Sequence, residues 1–334
     1  MDRSSRRPET VPAPPRRAAR GLLDLRLDRP RPARRVQLPS RHPGGPLMTI
    51  SIGTHPNNLA TWILSHVEEL QKPLLQVAGD VTFTRYDDGR RTVGLLTGGT
   101  IDVGATGSTP PIVAQAQDLD VVYLAASEPH PDPGGIVVPA DSPIRDLAGL
   151  RGRSIAFTVG SWQTHALAVA VDRAGLAWQD VTVTDVAATA QGQDFLDAGT
   201  DSWLVVDPAY SQLRALTDIR VLAPTEELVR NRSVFFGRGD WVRDHPSEAQ
   251  AFVDAVSATE RWAAGHLEEV AALLARSSRG GTPETWLPAL TKRHWGVHAV
   301  DEEFLAEQQY GADLFHRFGV IPRAITVVAA APAR

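Results

Sequence analysis

Short runs of β-branched residues alternate with longer amphipathic stretches from Thr49 onward, and no other feature constrains the fold as strongly. In the first unit the predicted strands are "TISIG" (49–53), "DVTFTRY" (80–86), "IDVGATG" (101–107), "DLDVVYLAAS" (118–127) and "GGIVVPA" (134–140). Helical periodicity fills the intervals, including a predicted helix over 57–71. Because such strands are joined by helical crossovers, the pattern predicts an α/β fold with mostly parallel sheets flanked by helices.

A second unit begins near Ser142, where "SPIRDLAGLRG" is predicted to form a short helix. Its predicted strands are "SIAFTVG" (154–160), "DVTVTDV" (180–186), "DSWLVVD" (201–207) and "DIRVLAP" (218–224). Residues 233–236 are predicted to return to the first unit as a strand. We therefore predict two lobes, with lobe I formed by 49–138 and 234–330 and lobe II by 139–233. Two crossings between the lobes make a hinge with an interlobe cleft, where ligands commonly bind.

Residues 1–47 differ from the rest in composition, since they contain 12 arginines, nine prolines and only four acidic residues. A segment with so little apolar surface cannot offset chain entropy, so we predict that this basic head is disordered. The whole chain has a formal net charge of −5, so the body after the head is strongly acidic. An acidic body argues against nucleic-acid binding, because phosphate contacts need a clustered basic surface.

The head does not contain a predicted export signal, because charges at Asp24, Arg26 and Asp28 interrupt its one apolar patch. Met48, directly before the first strand, is an alternative translation start. No apolar run is long enough for a transmembrane helix. The sequence has no cysteine, which excludes disulfides, thiolate metal sites and a cysteine nucleophile.

The segment "DVGATGSTPPIVAQAQ" passes from a strand into a helix with no acid, base or metal ligand at the junction. With Thr109 as the N-cap, Pro110 and Pro111 take the first helical positions, where a missing N–H costs little. The donors left beside Gly107 are the amides of Ser108, Thr109 and Ile112 and the two hydroxyls. Such a turn suits an oxyanion at the positive end of a helix. The alternative is a well-capped buried helix.

The segment "TVGSWQTHALA" repeats this arrangement in the second unit. Ser161 is the predicted N-cap, Gln163 lies in the first turn as a further donor, and Trp162 offers an apolar wall. His165 is predicted to be structural. The two helix starts, one from each lobe, are predicted to face each other across the cleft.

Two further strand ends carry candidate ligand-binding residues. In "GTHPNNLA", His55 can exchange a proton and Asn57 is the predicted N-cap, with a surface turn as the alternative. In "LVVDPAYSQL", Asp207 precedes Pro208, and Tyr210 is predicted to reach the ligand. Capping of the following helix is the alternative role of Asp207.

In this order, the junctions resemble the substrate-binding proteins of ABC importers for aliphatic sulfonates, which are close to the nitrate- and taurine-binding proteins. The residues that carry the resemblance are "DVGATGSTPPIVAQAQDLDVVYLAAS", "GIVVPADSPIRDLAGLRGRSIAF", "GSWQTHALAVAVDRAGLAWQDV", "DSWLVVDPAY", "NRSVFFGRGDWVRDHPSEAQAFV" and "AEQQYGADLFHRFGVIP". Together they span about residues 49–325. Each motif alone has low specificity, and their order of occurrence is more specific.

The resemblance implies a two-lobed, type II periplasmic-binding fold that closes on its ligand by hinge motion. It implies a sulfonate held mainly by backbone amides and hydroxyls at helix starts, an ABC importer permease as partner, and an extracytoplasmic location. The residues it nominates are Gly107, Ser108, Thr109, Ser161, Trp162, Gln163, Asp207 and Tyr210.

The leading hypothesis is a non-enzymatic, monomeric receptor for a small sulfonate-like anion, with no cofactor, no metal and no catalytic residue. Neutral donors suit such an anion, because a sulfonate needs hydrogen bonds and no proton acceptor. Ser108→Ala or Ser161→Ala is predicted to weaken binding with little loss of stability. The alternatives are a cytoplasmic sensor or an enzyme on the same fold. Related aromatic sulfinate desulfinases use a cysteine, which this chain lacks.

Overall fold

The computed structural model describes residues 48–130 and 132–332, so the predicted disordered head lies outside the described residues. The strands are β1 (Met48–Thr54), β2 (Gly79–Arg85), β3 (Val103–Thr106), β4 (Val121–Ser127), β5 (Gly134–Pro139), β6 (Arg153–Phe157), β7 (Val181–Asp185), β8 (Ser202–Val206), β9 (Ile219–Pro224), β10 (Val234–Arg238) and β11 (Val297–Ala299). In the described ranges, no helix combines the length and apolar character that a membrane span requires.

The helices surround these strands in the order that the sequence pattern predicts. They are α1 (Leu59–Leu64), α2 (Glu68–Ala78), α3 (Thr92–Thr97), α4 (Thr109–Ala116), α5 (Trp162–Arg173), α6 (Gly192–Asp197), α7 (Ala209–Leu216), α8 (Thr225–Leu228), α9 (Gly239–Asp244), α10 (Pro246–Gly265), α11 (Leu267–Ala275), α12 (Pro283–Lys292) and α13 (Glu302–Arg317).

The strands form two sheets, which the chain visits in turn. The first has the order β11-β4-β10-β3-β1-β2 and the second the order β7-β6-β8-β5-β9. The chain enters the second sheet at β5 and returns to the first at β10. This connectivity follows the predicted split unit with an inserted unit, although the movement of the two units as separate lobes stays a prediction.

Two details of the prediction are wrong. The strand β5 pairs with β8 and β9, so the first crossing precedes Gly134 and does not lie at 138/139. The pairing is also mixed rather than mostly parallel, because β5, β10 and β11 run antiparallel to their neighbours. The β1–β2, β1–β3, β6–β7 and β6–β8 pairings are parallel. β5 and β10 follow the two crossings between the sheets, and the short helix α8 lies within the second crossing. Antiparallel pairing does not need the long crossover connection that joins parallel strands of one sheet.

Helices cover both faces of the first sheet, which explains its continuous apolar strands. In β10, Phe235 packs into a cluster with Phe252 of α10, whereas Phe236 packs into a second cluster on the opposite face. That second cluster also contains the fully buried residues Ile112 of α4 and Leu167 of α5. Because α4 and α5 share this core, their N-terminal ends are held at the junction between the two sheets.

The predicted helix over 57–71 is interrupted, and α1 and α2 replace it. The Ser65 hydroxyl donates to the Trp62 carbonyl, a local bond that competes with the helical backbone pattern. Val67 then adopts an extended conformation, with φ −113° and ψ 97°, before α2 begins. The predicted helix in "SPIRDLAGLRG" is reduced to a single 3₁₀ turn, Ala148–Leu150.

Candidate functional site

A cavity of about 220 Å³ lies where the strand ends of the two sheets meet. Its walls come from the segments that follow β1, β2 and β3 of the first sheet and β6, β7 and β8 of the second. Typical sites for drug-sized ligands enclose ~300–1,000 Å³, so this cavity suits a smaller molecule. The strand-end location is the one that α/β sheets commonly offer to ligands.

Most of the sequence-predicted site residues line this cavity. They are His55, Asn57, Gly107, Ser161, Trp162, Gln163 and Asp207. The remaining three, Ser108, Thr109 and Tyr210, do not line it. The predicted ligand contacts of all ten residues stay predictions.

The start of α4 differs from the prediction by one residue, because the N-cap is Ser108 and Thr109 is already helical. The Ser108 hydroxyl does not cap the helix, since its Oγ is hydrogen-bonded to Nδ1 of His165 at 3.1 Å. The Thr109 hydroxyl is buried and has no partner among the described residues. The Ser108 hydroxyl is thus engaged by His165, and the contact of these two hydroxyls with the ligand stays a prediction.

The backbone N–H groups are the second feature of the α4 start. Within the described residues, the N–H groups of Ser108 and Thr109 have no hydrogen-bond partner, and the prolines that follow have no N–H to offer. Ser108 and Thr109 lie between Gly107 and Pro110, which both line the cavity. The α4 start thus presents unused donors at the positive end of a helix.

The start of α5 uses its polar groups internally. Ser161 is the N-cap as predicted, and its Oγ accepts from the Gln163 N–H at 3.2 Å. The Gln163 side chain accepts from the Thr158 N–H at 2.8 Å and donates to the Leu204 carbonyl at 3.3 Å. Gln163 therefore joins the start of α5 to the end of β6 and to β8, and its role as a donor to the ligand stays a prediction.

The two helix starts touch each other, so the cleft is closed at this point. A Cβ placed on Gly107 would lie 2.7 Å from Cβ of Trp162, a separation that real Cβ atoms do not show. Glycine is therefore required at residue 107 for this close approach. The hydrogen bond between Ser108 and His165 is the second link between the two starts.

His55 lies beside the α4 start and is only 3% exposed. Its Nε2 is 2.9 Å from the Ala105 carbonyl oxygen. Because a carbonyl only accepts, Nε2 carries the hydrogen and Nδ1 is left as an acceptor without a partner among the described residues. Burial lowers the pKa of His55 to about 4, so the ring is neutral at pH 7.

Asn57 is exposed and does not cap α1, contrary to the prediction. The N-cap is Asn58, whose Oδ1 accepts from the Thr61 N–H at 3.0 Å. Asn58 is buried, so its amide has to be satisfied by the helix, whereas the neighbouring Asn57 faces solvent at the cavity edge.

Asp207 adopts the alternative role that the sequence offers, since its Oδ1 accepts from the Ser211 N–H at 2.9 Å and from the Ser211 hydroxyl at 2.6 Å. The peptide bond before Pro208 is cis. Tyr210 packs against a separate apolar cluster, and the Arg214 guanidinium lies 5.7 Å from its ring centroid. Tyr210 does not line the cavity, and its contact with the ligand stays a prediction.

Four arginines that the sequence prediction missed line the cavity: Arg90, Arg232, Arg279 and Arg293. Arg90 lies in the segment after β2, five residues beyond Arg85, so the strand-end argument used for the other junctions would have found it. Arg279 lies in the loop between α11 and α12, far along the chain from any strand end. No local pattern identifies it, and only the tertiary structure brings it to the site.

Arg90 bridges the two sides of the cavity. Its guanidinium contacts Asp88 at 2.6 Å on its own side. Across the cleft it contacts Asp185 at 3.1 Å, and it donates to the Val159 carbonyl at 2.9 Å. These bonds tie the end of β2 to the turn that leads into α5.

Comparisons with known proteins agree with this geometry. A family model described as "NMT1/THI5 like" matches residues 78–270, more than half of the chain. An Escherichia coli (strain K12) protein assigned to aliphatic sulfonate binding is 28% identical over 249 residues, covering 74% of this chain and 77% of that protein. A taurine-binding periplasmic protein of the same organism is 27% identical over 245 residues, covering 70% and 72%.

Solved structures extend the comparison to the fold. The crystal structure of the periplasmic aliphatic sulphonate binding protein SsuA from Escherichia coli matches with a TM-score of 0.75 and 26% identity, covering 85% of this chain and 97% of that one. A desulfurization enzyme, DSZB, has the same fold at 18% identity and a TM-score of 0.59. The matches confirm the type II periplasmic-binding fold and the resemblance to sulfonate-binding proteins. The chain belongs to the NMT1/THI5-like family.

Proposed function

We propose that this protein is a solute receptor that binds a small organic anion, an aliphatic sulfonate, in the cavity between its two sheets. The observation that carries the proposal is the pair of unused N–H groups of Ser108 and Thr109 at the start of α4. Helix starts of this kind stabilise an anion through their N–H groups and the helix dipole. The sulfonate- and taurine-binding relatives support the choice of anion.

The chemistry of a sulfonate matches these donors. Its oxygens accept hydrogen bonds and remain unprotonated, so the site needs donors and no base. Pro110 and Pro111 restrict the free donors to a short segment beside Gly107. Trp162 supplies an apolar wall for a short alkyl chain, and the cavity volume of about 220 Å³ suits a ligand of few carbon atoms.

The same geometry favours binding over catalysis. The sequence has no cysteine for the nucleophilic chemistry of the related desulfinases. His55, the best candidate base, is weakly basic because burial lowers its pKa to about 4, and its N–H donates to a backbone carbonyl instead of a carboxylate that would orient it. We further propose that the receptor acts outside the cytoplasm and delivers its ligand to an ABC importer permease.

A thermal-unfolding panel tests the proposal. Purified protein is heated with ethanesulfonate, propane-1-sulfonate, taurine, sulfate, nitrate or propionate, and the Kd of each ligand that raises Tm is measured by titration calorimetry. A receptor gives a shift that grows with ligand concentration, about 2.7 kcal/mol of stabilisation at a hundred times Kd.

The outcomes of this panel are distinct. Stabilisation by sulfonates above that by propionate supports the proposed anion class, whereas no stabilisation by any sulfonate contradicts it. Release of sulfite from a bound sulfonate, measured colorimetrically, would identify an enzyme instead. Matched assays without protein provide the baseline for that measurement.

A further inference from the structure

The four arginines that line the cavity are not equivalent. Arg232 contacts Glu307 at 2.9 Å, and Arg293 contacts Glu260 at 3.0 Å. Arg90 is held by two carboxylates, as described above. Arg279 alone has no carboxylate within 4 Å in the part of the chain that the structure describes.

The Arg279 guanidinium is positioned for recognition by its neighbours. It stacks over the ring of Trp286, with the central carbon 4.4 Å from the ring centroid. Among the described residues, its five N–H groups form one hydrogen bond, a long contact of 3.4 Å from Nη2 to the Asp207 carbonyl. The backbone carbonyl of Arg279 accepts from Gln191 at 3.4 Å. The group is thus held in place while most of its donors stay unused.

The nearest counter-charge does not neutralise Arg279 by direct contact. Asp132 also lines the cavity, and its charge favours the charged form of Arg279 from beyond ion-pair distance. The Asp132 carboxylate accepts from the Asn231 side chain at 2.5 Å. Burial dominates over this attraction and lowers the pKa of Arg279 to about 10. The guanidinium remains charged at pH 7 and lacks an anion in contact.

The α4 start and Arg279 are separate donor groups, the first flanked by cavity-lining residues and the second lining the cavity itself. No hydrogen bond joins the two within the described residues, and they contact different walls: Trp162 adjoins the α4 start, and Trp286 supports Arg279. A ligand with one anionic group at the α4 start would leave the partly buried Arg279 without a counter-ion. Burying an unpaired cation is costly, whereas a second anionic group on the ligand would remove that cost.

We infer that the ligand carries two negatively charged groups, a sulfonate at the α4 start and a carboxylate or second sulfonate that Arg279 binds. The ligand class is therefore a short sulfocarboxylate or disulfonate rather than a simple alkanesulfonate. This inference rests on the proposed function, and it makes Arg279 a specificity-determining residue with Trp286 as its support. A guanidinium fork is well suited to a planar carboxylate, which it can bind through two parallel bonds.

A matched pair of ligands tests the inference on the unmodified protein. The full chain is titrated by calorimetry with 3-sulfopropionate and with 3-sulfopropanamide, which has nearly the same shape and one charge fewer. We expect the acid to bind at least about tenfold more tightly, since a hydrogen bond to a charged group is typically worth that factor or more. Equal affinities would overturn the inference.

A variant then assigns the effect to Arg279. Arg279→Gln is expected to abolish the preference for the acid and to raise the Kd of propane-1-sulfonate by a smaller factor than that of 3-sulfopropionate, because the α4 start is unchanged. Arg279→Lys keeps the positive charge but lacks the planar guanidinium that can form two parallel hydrogen bonds. It is therefore expected to retain part of the preference for the acid. The matched control is Arg276→Gln, an exposed arginine of the same segment that does not line the cavity.

Each remaining outcome has a clear meaning. An equal loss of affinity for propane-1-sulfonate and 3-sulfopropionate in Arg279→Gln would mean that Arg279 binds the sulfonate itself, which overturns the inference. If Arg279→Gln does not fold, the comparison of acid and amide on the unmodified protein decides. Failure of every sulfonate to bind would refute the proposed function, whereas tight binding of propane-1-sulfonate without a preference for the acid refutes only the second anionic group.

Discussion

Two helix starts meet at the cavity, residues 107–111 at the start of α4 and residues 160–163 at the start of α5. Their sequences are similar, but their polar groups form different hydrogen bonds. At α5, Ser161 caps the helix and Gln163 ties it to neighbouring strands. At α4, the Ser108 side chain bonds to another helix, and its backbone donors stay free. A serine before a helix therefore identifies the position of a helix start, and its surroundings determine whether the start is closed or open to a ligand.

The contact between the two starts is the part of this comparison most sensitive to mutation. Gly107→Val places a side chain against Cβ of Trp162, where an added Cβ would already be 2.7 Å away. Overpacking of this kind costs about 1–3 kcal/mol, so we expect up to about a hundredfold rise in the Kd for the sulfonate. Gly265→Val is the control, since no atom lies within 4 Å of a Cβ at that position. An unchanged Kd would show that ligand binding does not need the two starts in contact.

His165 links the starts of α4 and α5, and its burial leads us to expect that the stability of the protein depends on pH. Burial lowers its pKa to about 4, below the ordinary value of 6.5, so the unfolded chain binds the proton more readily. The contribution of His165 to the free energy of unfolding is fully present above about pH 6.5 and is lost as the pH falls through 4. The expected loss between pH 7.5 and pH 5 is about 2 kcal/mol.

Urea unfolding of the unmodified protein and of His165→Asn at both pH values checks this expectation. Asparagine can replace Nδ1 in the bond to Ser108 but has no titratable group, so the variant should lose less stability on acidification. His316→Asn, at an exposed position of α13, should behave like the unmodified protein. Identical acid sensitivity in the His165 variant would show that this histidine is not kept neutral.

Alanine substitutions at Ser161 and Ser108 test the different side-chain bonds at the starts of α5 and α4. Ser161→Ala removes an N-cap bond and is expected to lower the free energy of unfolding by about 1 kcal/mol. Ser108→Ala removes no cap and leaves the amides beside it intact, but it takes a partner from the buried Nδ1 of His165, so a loss of about 1–3 kcal/mol is expected. The sequence alone predicted that both variants weaken binding with little loss of stability. Unchanged stability in both variants, measured by urea unfolding, would contradict the assigned bonds.

The smallest expected effect concerns the ion pair between Arg90, in the segment after β2, and Asp185, at the end of β7. This pair connects the two sides of the cavity. Asp185 is 53% exposed in its side chain, so solvent screens the pair. Asp185→Asn is expected to raise the Kd by about two- to threefold at low salt and less at high salt. Glu69→Gln, which breaks an exposed pair on α2, is the control. A salt-independent change would point to a role other than charge.

Local patterns were sufficient to predict much of the fold, because the hydrophobic periodicity of a strand or a helix is visible within a short stretch of sequence. The alternation around β1 to β3 and the serine before α5 predicted the corresponding elements within a few residues. The one-residue shift at Ser108 had a tertiary cause, since the competing partner, His165, is 57 residues away in the chain. The direction of β5 likewise depended on which sheet it joined, a choice that its own apolar residues do not encode.

The sequence by itself determined the α/β class, the split arrangement of the units, the strand ends that line the cavity, and the family resemblance. These features depend on residue order and periodicity, which a single chain displays directly. The tertiary structure alone decided which donors have no partner among the described residues and that Tyr210 does not line the cavity. It also decided that Arg279 lines the cavity without a carboxylate partner in the described part of the chain. Hydrogen bonding and charge pairing are properties of atoms brought together in space, so residues distant in sequence determined the chemistry of the site.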